Sequence, residues 1–265
     1  MTSAAGNRDR FAGKVAVVVG SATGIGAATA RQLAADGASV VVADVIVDGA
    51  ERVAKEIEDA GGRAVGVEVE LRDEGSVEAM VETTLEQFGR IDALHNNAAD
   101  TRPSTIGNDT DVVDIDLAIW DQTLGVDLTG YLLTCRHAIP VMLANGGGAI
   151  LNTSSLAGLR GESERVGYAV AKAGVHALTR HVALRWGKEG IRCNAMALGV
   201  VMTDALREGV TSEFRAQLVA ALHVPDEGTP ADIARVASFL LSDDARYING
   251  ATIPVDGGMG VGLGS

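Results

Sequence analysis

Tyr168 and Lys172 stand four residues apart in the run Tyr-Ala-Val-Ala-Lys, a spacing that puts a phenol and an ammonium on one helix face. A free tyrosine gives up its proton near pH ~10, and a cation beside it favours the phenolate. Ser155 lies thirteen residues earlier, at the end of an apolar run, where its hydroxyl can bond the same substrate oxygen. Hydride removal from an alcohol needs this set: a base for the O–H proton, a donor to hold the oxygen, and a cofactor to accept the hydride. Alone, Tyr-x-x-x-Lys also describes ordinary surface pairs, so other motifs must decide.

The first is Gly20-Ser21-Ala22-Thr23-Gly24-Ile25-Gly26, between an apolar run and a helix-period segment. Glycines there permit positive φ and bring the backbone against a pyrophosphate, whose charge rests on the helix N-terminus. The spacing is G-x-x-x-G-x-G, not the commoner G-x-G-x-x-G. Asp44 follows 18 residues after Gly26, at the end of the second apolar run. A carboxylate there can bond the adenosine ribose 2′-hydroxyl and repel a 2′-phosphate. One charge pair at ~4 Å is worth roughly 1–4 kcal/mol, and no Arg or Lys in the loop or just after Asp44 reverses it. NAD is therefore expected over NADP, although an acid that merely ends a strand would look the same.

These groups need a scaffold, and the chain alternates short Val/Ile-rich runs with helix-period segments. The pattern predicts strands at 15–20, 39–44, 64–70, 91–96, 148–153, 191–197 and 251–255. It predicts helices at 23–36, 51–60, 74–88, about 117–143, 166–188, near 203–222 and 230–242. Strict alternation implies one α/β domain: a doubly wound, Rossmann-type, seven-stranded parallel sheet with helices on both faces. Its core would span about 11–258, with tails at 1–10 and 259–265.

The 265 residues carry a net charge of −13, which repels a phosphate backbone, and 3% aromatics cannot build a base-stacking platform, so nucleic acid is excluded as a partner. No apolar leader and no run of 18 apolar residues is present, so no membrane span is expected. Cys135 and Cys193 read as reduced thiols of a cytoplasmic protein, and the five histidines show no metal-binding spacing.

In their joint order these features resemble the short-chain dehydrogenase/reductase family in its single-domain form. The resemblance rests on Gly20–Gly26, Asp44, Asn96-Asn97-Ala98, Ser155, Tyr168 with Lys172, Gly199 with Thr203, and the closing Pro254-Val255-Asp256-Gly257-Gly258. It implies that Tyr168 is the general acid/base, that Lys172 lowers its pKa and bonds the nicotinamide ribose, and that Ser155 orients the substrate oxygen. The cofactor would lie along Gly20, Ser21, Thr23, Gly24, Ile25 and Gly26, with the backbone at Ile25 meeting the pyrophosphate. Asn97 and Ala98 would face the adenosine ribose side, and Gly199, Val201 and Thr203 the carboxamide. Glu70, followed by Leu71, would approach adenine, where the family usually has Asp-Val. A homotetramer, or a homodimer, would be the assembly.

Three departures stand out. Ala99 replaces a glycine, Leu198 replaces a proline, and Asp127 replaces the asparagine that in the family links the lysine through water to solvent. An aspartate cannot donate as an amide does, and it adds negative charge near Lys172. On the substrate side, Ala99, Leu156, Leu198, Met202 and Leu206 suggest a mainly apolar small-molecule substrate. Residues 200–225 read equally as a hydrophobic lid or as an amphipathic helix packed on the body. Arg160, Glu162, Glu164 and Arg165 could meet polar substrate groups or form a solvated loop. Asp109, Asp111, Asp114, Asp116 and Asp121 read as acids at the N-terminus of the central helix. The resulting expectation is an NAD-linked oxidoreductase acting on a secondary alcohol or ketone. An NADPH-linked 3-oxoacyl-type reductase, or a dinucleotide-binding regulator without turnover, are the alternatives.

Overall fold

A computed structural model describes residues 10–261. Seven strands, β1 (Val15–Val19), β2 (Ser39–Asp44), β3 (Arg63–Glu68), β4 (Ala93–Asn96), β5 (Gly148–Ser155), β6 (Ile191–Leu198) and β7 (Thr252–Val255), form one parallel sheet in the order 3-2-1-4-5-6-7. The order reverses between β1 and β4, which opens a crevice at the carboxyl ends of these strands. The helices are α1 (Gly24–Ala35), α2 (Val47–Asp59), α3 (Glu74–Phe88), α4 (Pro103–Ile106), α5 (Leu117–Leu124), α6 (Gly130–Ala144), α7 (Val166–Trp186), α8 (Asp204–Gly209), α9 (Ser212–Ala220) and α10 (Pro230–Leu241).

Both faces of the sheet are covered, and alternate residues of one strand enter different cores. Ala16 and Val18 pack with Ala30 and Leu33 of α1, Val53 of α2 and Ala237 of α10. Val17 and Val19 pack with Val77 of α3, Ala138 and Met142 of α6, and Val182 of α7. This two-sided burial is why β1 and β2 read as nearly unbroken valine runs.

Some boundaries differ from the sequence pattern. β1 stops at Val19 because Gly20 takes a φ of +78°. β3 stops at Glu68, where its pairing with β2 ends, so exposed Glu70 sits in a turn. The predicted central helix is interrupted by a π turn, Gly125–Thr129, whose wider winding inserts an extra residue at Asp127. The predicted 203–222 helix is two helices, broken where Thr211 accepts from the Phe214 N–H at 3.2 Å. Neither α8 nor α9 buries a residue. Of the expected tails, 1–9 and 262–265 lie outside the described residues. Arg10 pairs with Asp244 at 3.0 Å, and 256–260 are tied together through the Asp256 carboxylate.

The acidic stretch divides as well. Asp116 caps α5 by accepting from the Ala118 N–H at 2.8 Å. Asp109 instead caps α7, accepting from the N–H groups of Gly167 at 2.9 Å and Tyr168 at 2.8 Å. Its partners are 58 and 59 residues away, so no local pattern announces the contact. Asp109 is buried, and a lost cap costs about 1–2 kcal/mol. Asp109→Ala should therefore lower the unfolding free energy by about that amount in urea denaturation, and Asp109→Asn, which keeps only one of the two acceptor oxygens, should recover only part of it.

Candidate active site

The glycine loop leaves β1 and enters α1 through two positive-φ residues, Gly20 at +78° and Gly24 at +56°. A Cβ on Gly20 would lie 2.4 Å from the Ala98 Cα, and one on Gly26 would lie 2.0 Å from the Gly20 carbonyl oxygen. Only glycine fits either place. The N-cap residue Thr23 makes no side-chain cap bond, so the first-turn N–H groups of α1 remain available to an anion. Asp44 accepts from the Ala22 N–H at 2.8 Å and the Ile46 N–H at 3.0 Å, joining the loop to the end of β2. Two crowded glycines, an uncapped helix end and a carboxylate on the neighbouring strand fit a dinucleotide. Ser21 serves this loop from inside: its hydroxyl donates to the Val18 carbonyl at 2.6 Å and the side chain is buried.

Below the crevice sits Lys172, on the second turn of α7 and 1% exposed. Its Nζ lies 3.3 Å from the Thr153 carbonyl, 3.3 Å from Asp127 Oδ2, and 5.4 Å from the centre of the Tyr168 ring. The Tyr131 ring is 5.1 Å away on another side. Burial alone would drive the lysine towards neutrality, but Asp127 and the two phenols outweigh it and raise its pKa. Asp127 is pushed the opposite way from a solvated carboxylate: burial raises its pKa, and Lys172 only partly offsets this. Asp127 Oδ1 accepts from the Asp100 N–H at 2.9 Å. Its Oδ2 faces Lys172 as an ion pair without an aligned hydrogen bond.

Tyr131 was not singled out from sequence, although it follows Asp127 at i, i+4. Its hydroxyl donates within reach of the Ala98 carbonyl at 2.9 Å and the Thr153 carbonyl at 3.2 Å, and burial raises its pKa. Asp100 is a second unanticipated group. Burial works against its charge, yet bonds from Arg102 and Gln122 hold its carboxyl at about 2.

Ser155 ends β5 and accepts from the Ala157 N–H at 3.1 Å, which leaves the hydroxyl proton to donate elsewhere. The following turn is pressed onto α7, since a Cβ on Gly158 would lie 2.7 Å from the Lys172 carbonyl carbon. Ser155 pairs in register with Leu198 of β6. Beyond β6, Gly199 packs against Asp256, and buried Val201 and Met202 lead to Thr203, which caps α8. The Thr203 methyl would be 3.4 Å from a Cβ on Gly24, so this turn closes over the glycine loop. Leu71 instead packs beneath Gly130 of α6, where a Cβ would be 2.7 Å away. Ala99, Leu156 and Leu206 are half-buried. Arg160 bonds the Met259 carbonyl, and Arg165 pairs with Glu162 while its guanidinium lies 5.1 Å from the Tyr168 ring centre. Beside Tyr168 is a cavity of about 100 Å³ bordered by Asp100, Thr101, Ile106, Thr123 and Arg165.

A hydrogen-bond chain supports the loop from the core. Asn97 Nδ2 donates to the Gly20 carbonyl at 2.9 Å, and Thr153 Oγ1 donates to Asn97 Oδ1 at 3.2 Å. That commits the threonine proton, so His95 Nε2, 2.9 Å away, must be the donor to Thr153. The fully buried imidazole is therefore neutral with Nε2 protonated, and burial lowers its pKa to about 3. An unfolded histidine binds a proton below pH ~6.5. The stability this neutral ring contributes is thus present above that value and is lost as pH falls towards 3. Unfolding free energies measured from pH 7 to 3 should fall by several kcal/mol on this account, and His95→Gln, which keeps a donor in the Nε2 position, should flatten that part of the profile.

The family model described as enoyl-(acyl carrier protein) reductase matches residues 20–260. A probable short-chain type dehydrogenase/reductase of Bradyrhizobium diazoefficiens is 41% identical over 250 residues, 94% of this chain and 88% of that protein. The cis-4-hydroxycyclohexanecarboxylate dehydrogenase of Sinomonas cyclohexanicum is also 41% identical over 250 residues, 94% of this chain and 98% of that protein. A solved 7α-hydroxysteroid dehydrogenase, in complex with NADH and 7-oxo glycochenodeoxycholic acid, superposes with a TM-score of 0.88 at 30% identity, covering 98% of each chain. With the crevice, the glycine loop and the Ser155, Tyr168 and Lys172 positions, these matches establish that the chain belongs to the short-chain dehydrogenase/reductase family of oxidoreductases.

Proposed function

We propose that this protein interconverts a secondary alcohol and its ketone with NAD(H), using Tyr168 as the general acid/base. The observation that carries the reading is the buried Lys172 charge set beneath the Tyr168 ring. A lysine so placed gives a phenolate nearby the field it needs. Tyr168 takes the carbinol proton in oxidation and returns it in reduction. Ser155 donates its free hydroxyl proton to the substrate oxygen, fixing it relative to Tyr168. When bound, the nicotinamide supplies the hydride acceptor. Asp44, at the ribose end of the crevice, favours NAD over NADP by charge.

Leu156, Leu198, Met202 and Leu206 lie at or just beyond the carboxyl ends of β5 and β6 and would offer apolar contacts to a mainly hydrocarbon substrate, such as a cyclic alcohol, while the cavity beside Tyr168 is bordered mostly by polar groups. Two named relatives act on ring-borne hydroxyls, as their names state. The α8–α9 segment, with no buried residue, suits the role of a lid over that substrate. Leu117, Leu132, Val170 and Leu184, exposed on α5, α6 and α7, support a homo-oligomer, and the buried free thiols Cys135 and Cys193 suit a cytoplasmic setting.

General acid/base catalysis contributes roughly 10²–10⁴-fold. With NAD and cyclohexanol, Tyr168→Phe should lose activity on that scale while NADH fluorescence titration shows binding retained; undiminished turnover would refute the role. Asp127 shares its charge with Lys172 and so weakens the field at Tyr168. Asp127→Asn removes the carboxylate 3.3 Å from the Lys172 ammonium and should shift the kcat/KM–pH profile. An unmoved profile removes Asp127 from the mechanism.

A further inference from the structure

We propose that Arg52 is a second cofactor-selectivity residue that opposes Asp44, its guanidinium standing where the 2′-phosphate of NADP would lie. This rests on the reading of the glycine loop as a dinucleotide site. Arg52 is on α2, eight residues past Asp44, and nothing in the local sequence connects it with the loop. The fold does. A Cβ on Gly49 would lie 2.7 Å from the Ala22 Cβ, so the first turn of α2 comes directly against the loop. That approach carries Arg52 Nη2 to the Ala22 carbonyl, to which it donates at 3.0 Å. Ala22 also gives its N–H to Asp44 Oδ2 at 2.8 Å. One residue of the loop thus holds the acid on its N–H and the base on its carbonyl, at the end of β2 where the ribose 2′ position would lie.

The guanidinium is not consumed by other partners. Its side chain is 54% exposed, and its remaining bond is to Glu56 Oε1 at 3.2 Å. Glu56 is the principal partner of Arg31, which reaches Oε2 with both Nε and Nη2 at 2.9 and 2.5 Å. Arg52 therefore keeps donors for an incoming phosphate, and a planar fork of N–H groups matches phosphate oxygens better than a point charge does. A neutral 2′-hydroxyl gains little from the same cation. On this view the NAD preference is held by the Asp44 charge alone, against a phosphate ligand already in place.

The test is fluorescence titration with NADH and NADPH of the full chain and of Arg52→Gln, Asp44→Asn and the double variant. Arg52→Gln is expected to raise the ratio of the NADPH Kd to the NADH Kd at least fivefold. Asp44→Asn should tighten NADPH binding at least tenfold without any added base, and Arg52→Gln in that background should remove most of the gain. If NADPH binds the starting protein too weakly to titrate, the Asp44→Asn background supplies the comparison. Ratios that ignore Arg52 in both backgrounds overturn the proposal while leaving the NADH site standing. Binding of neither dinucleotide by any of the four proteins overturns that site and the proposal together.

Discussion

A positive charge removed from water beneath the crevice organises much of this molecule. Withdrawing an ammonium from solvent costs several kcal/mol unless partners surround it. Lys172 has four: the Tyr168 ring of its own helix, and three from other elements, Asp127 from the π turn, the Thr153 carbonyl from β5, and the Tyr131 ring from α6. Satisfying one charge thereby fixes how α5, α6 and α7 meet the sheet. The π turn has a physical purpose in this light, because its additional residue aims a carboxylate at Nζ. Nearby, Asn96, Asn152, Thr134 and Thr179 form a buried amide–hydroxyl network across β4, β5, α6 and α7 that holds the same elements in place.

Close backbone approach is the second constraint, and it acts where small residues are required. Gly20 and Gly26 let the loop fold over Ala98 and over its own carbonyl, and Gly158 lets the β5 turn rest on the Lys172 backbone. Gly49 does the same for α2 against the loop. Gly20, Gly49 and Gly158 thereby set fixed distances between different elements, and Gly26 closes the loop on itself. Ala99, one residue beyond this crowding, tolerates its methyl because it sits at the half-buried rim.

The architecture was legible because the strands are short apolar-rich runs, valine-rich in β1 and β2, and most crossovers are amphipathic or alanine-rich helices. The spacing of Tyr168 and Lys172, the glycine loop and Asp44 were legible for the same reason: their partners lie within one local unit. What stayed hidden depends on long-range contact. Asp109 looks like a cap for the helix that follows it, yet serves one that starts beyond residue 160. His95 and Thr153 read as plain strand residues, and only their pairing across β4 and β5 shows that they hold Asn97. The π turn was hidden too, since its residues continue a good helical pattern and the ammonium its Asp127 faces lies on another helix.

The positions of Tyr168 and Lys172 along α7 differ in one respect that matters on heating. Lys172 sits a full turn inside the helix, clamped by an ion pair, whereas Tyr168 is the third residue of the first turn. That turn starts at Arg165, whose φ of +59° is the one positive value outside glycine among the described residues. Its N–H groups depend on residues 109 and 110 of a distant loop. Helix ends fray at free energies far below those of global opening. Local opening of that loop would free the phenol while the ammonium and the sheet stay in place, so under the role proposed for Tyr168 activity would be lost on heating before the fold.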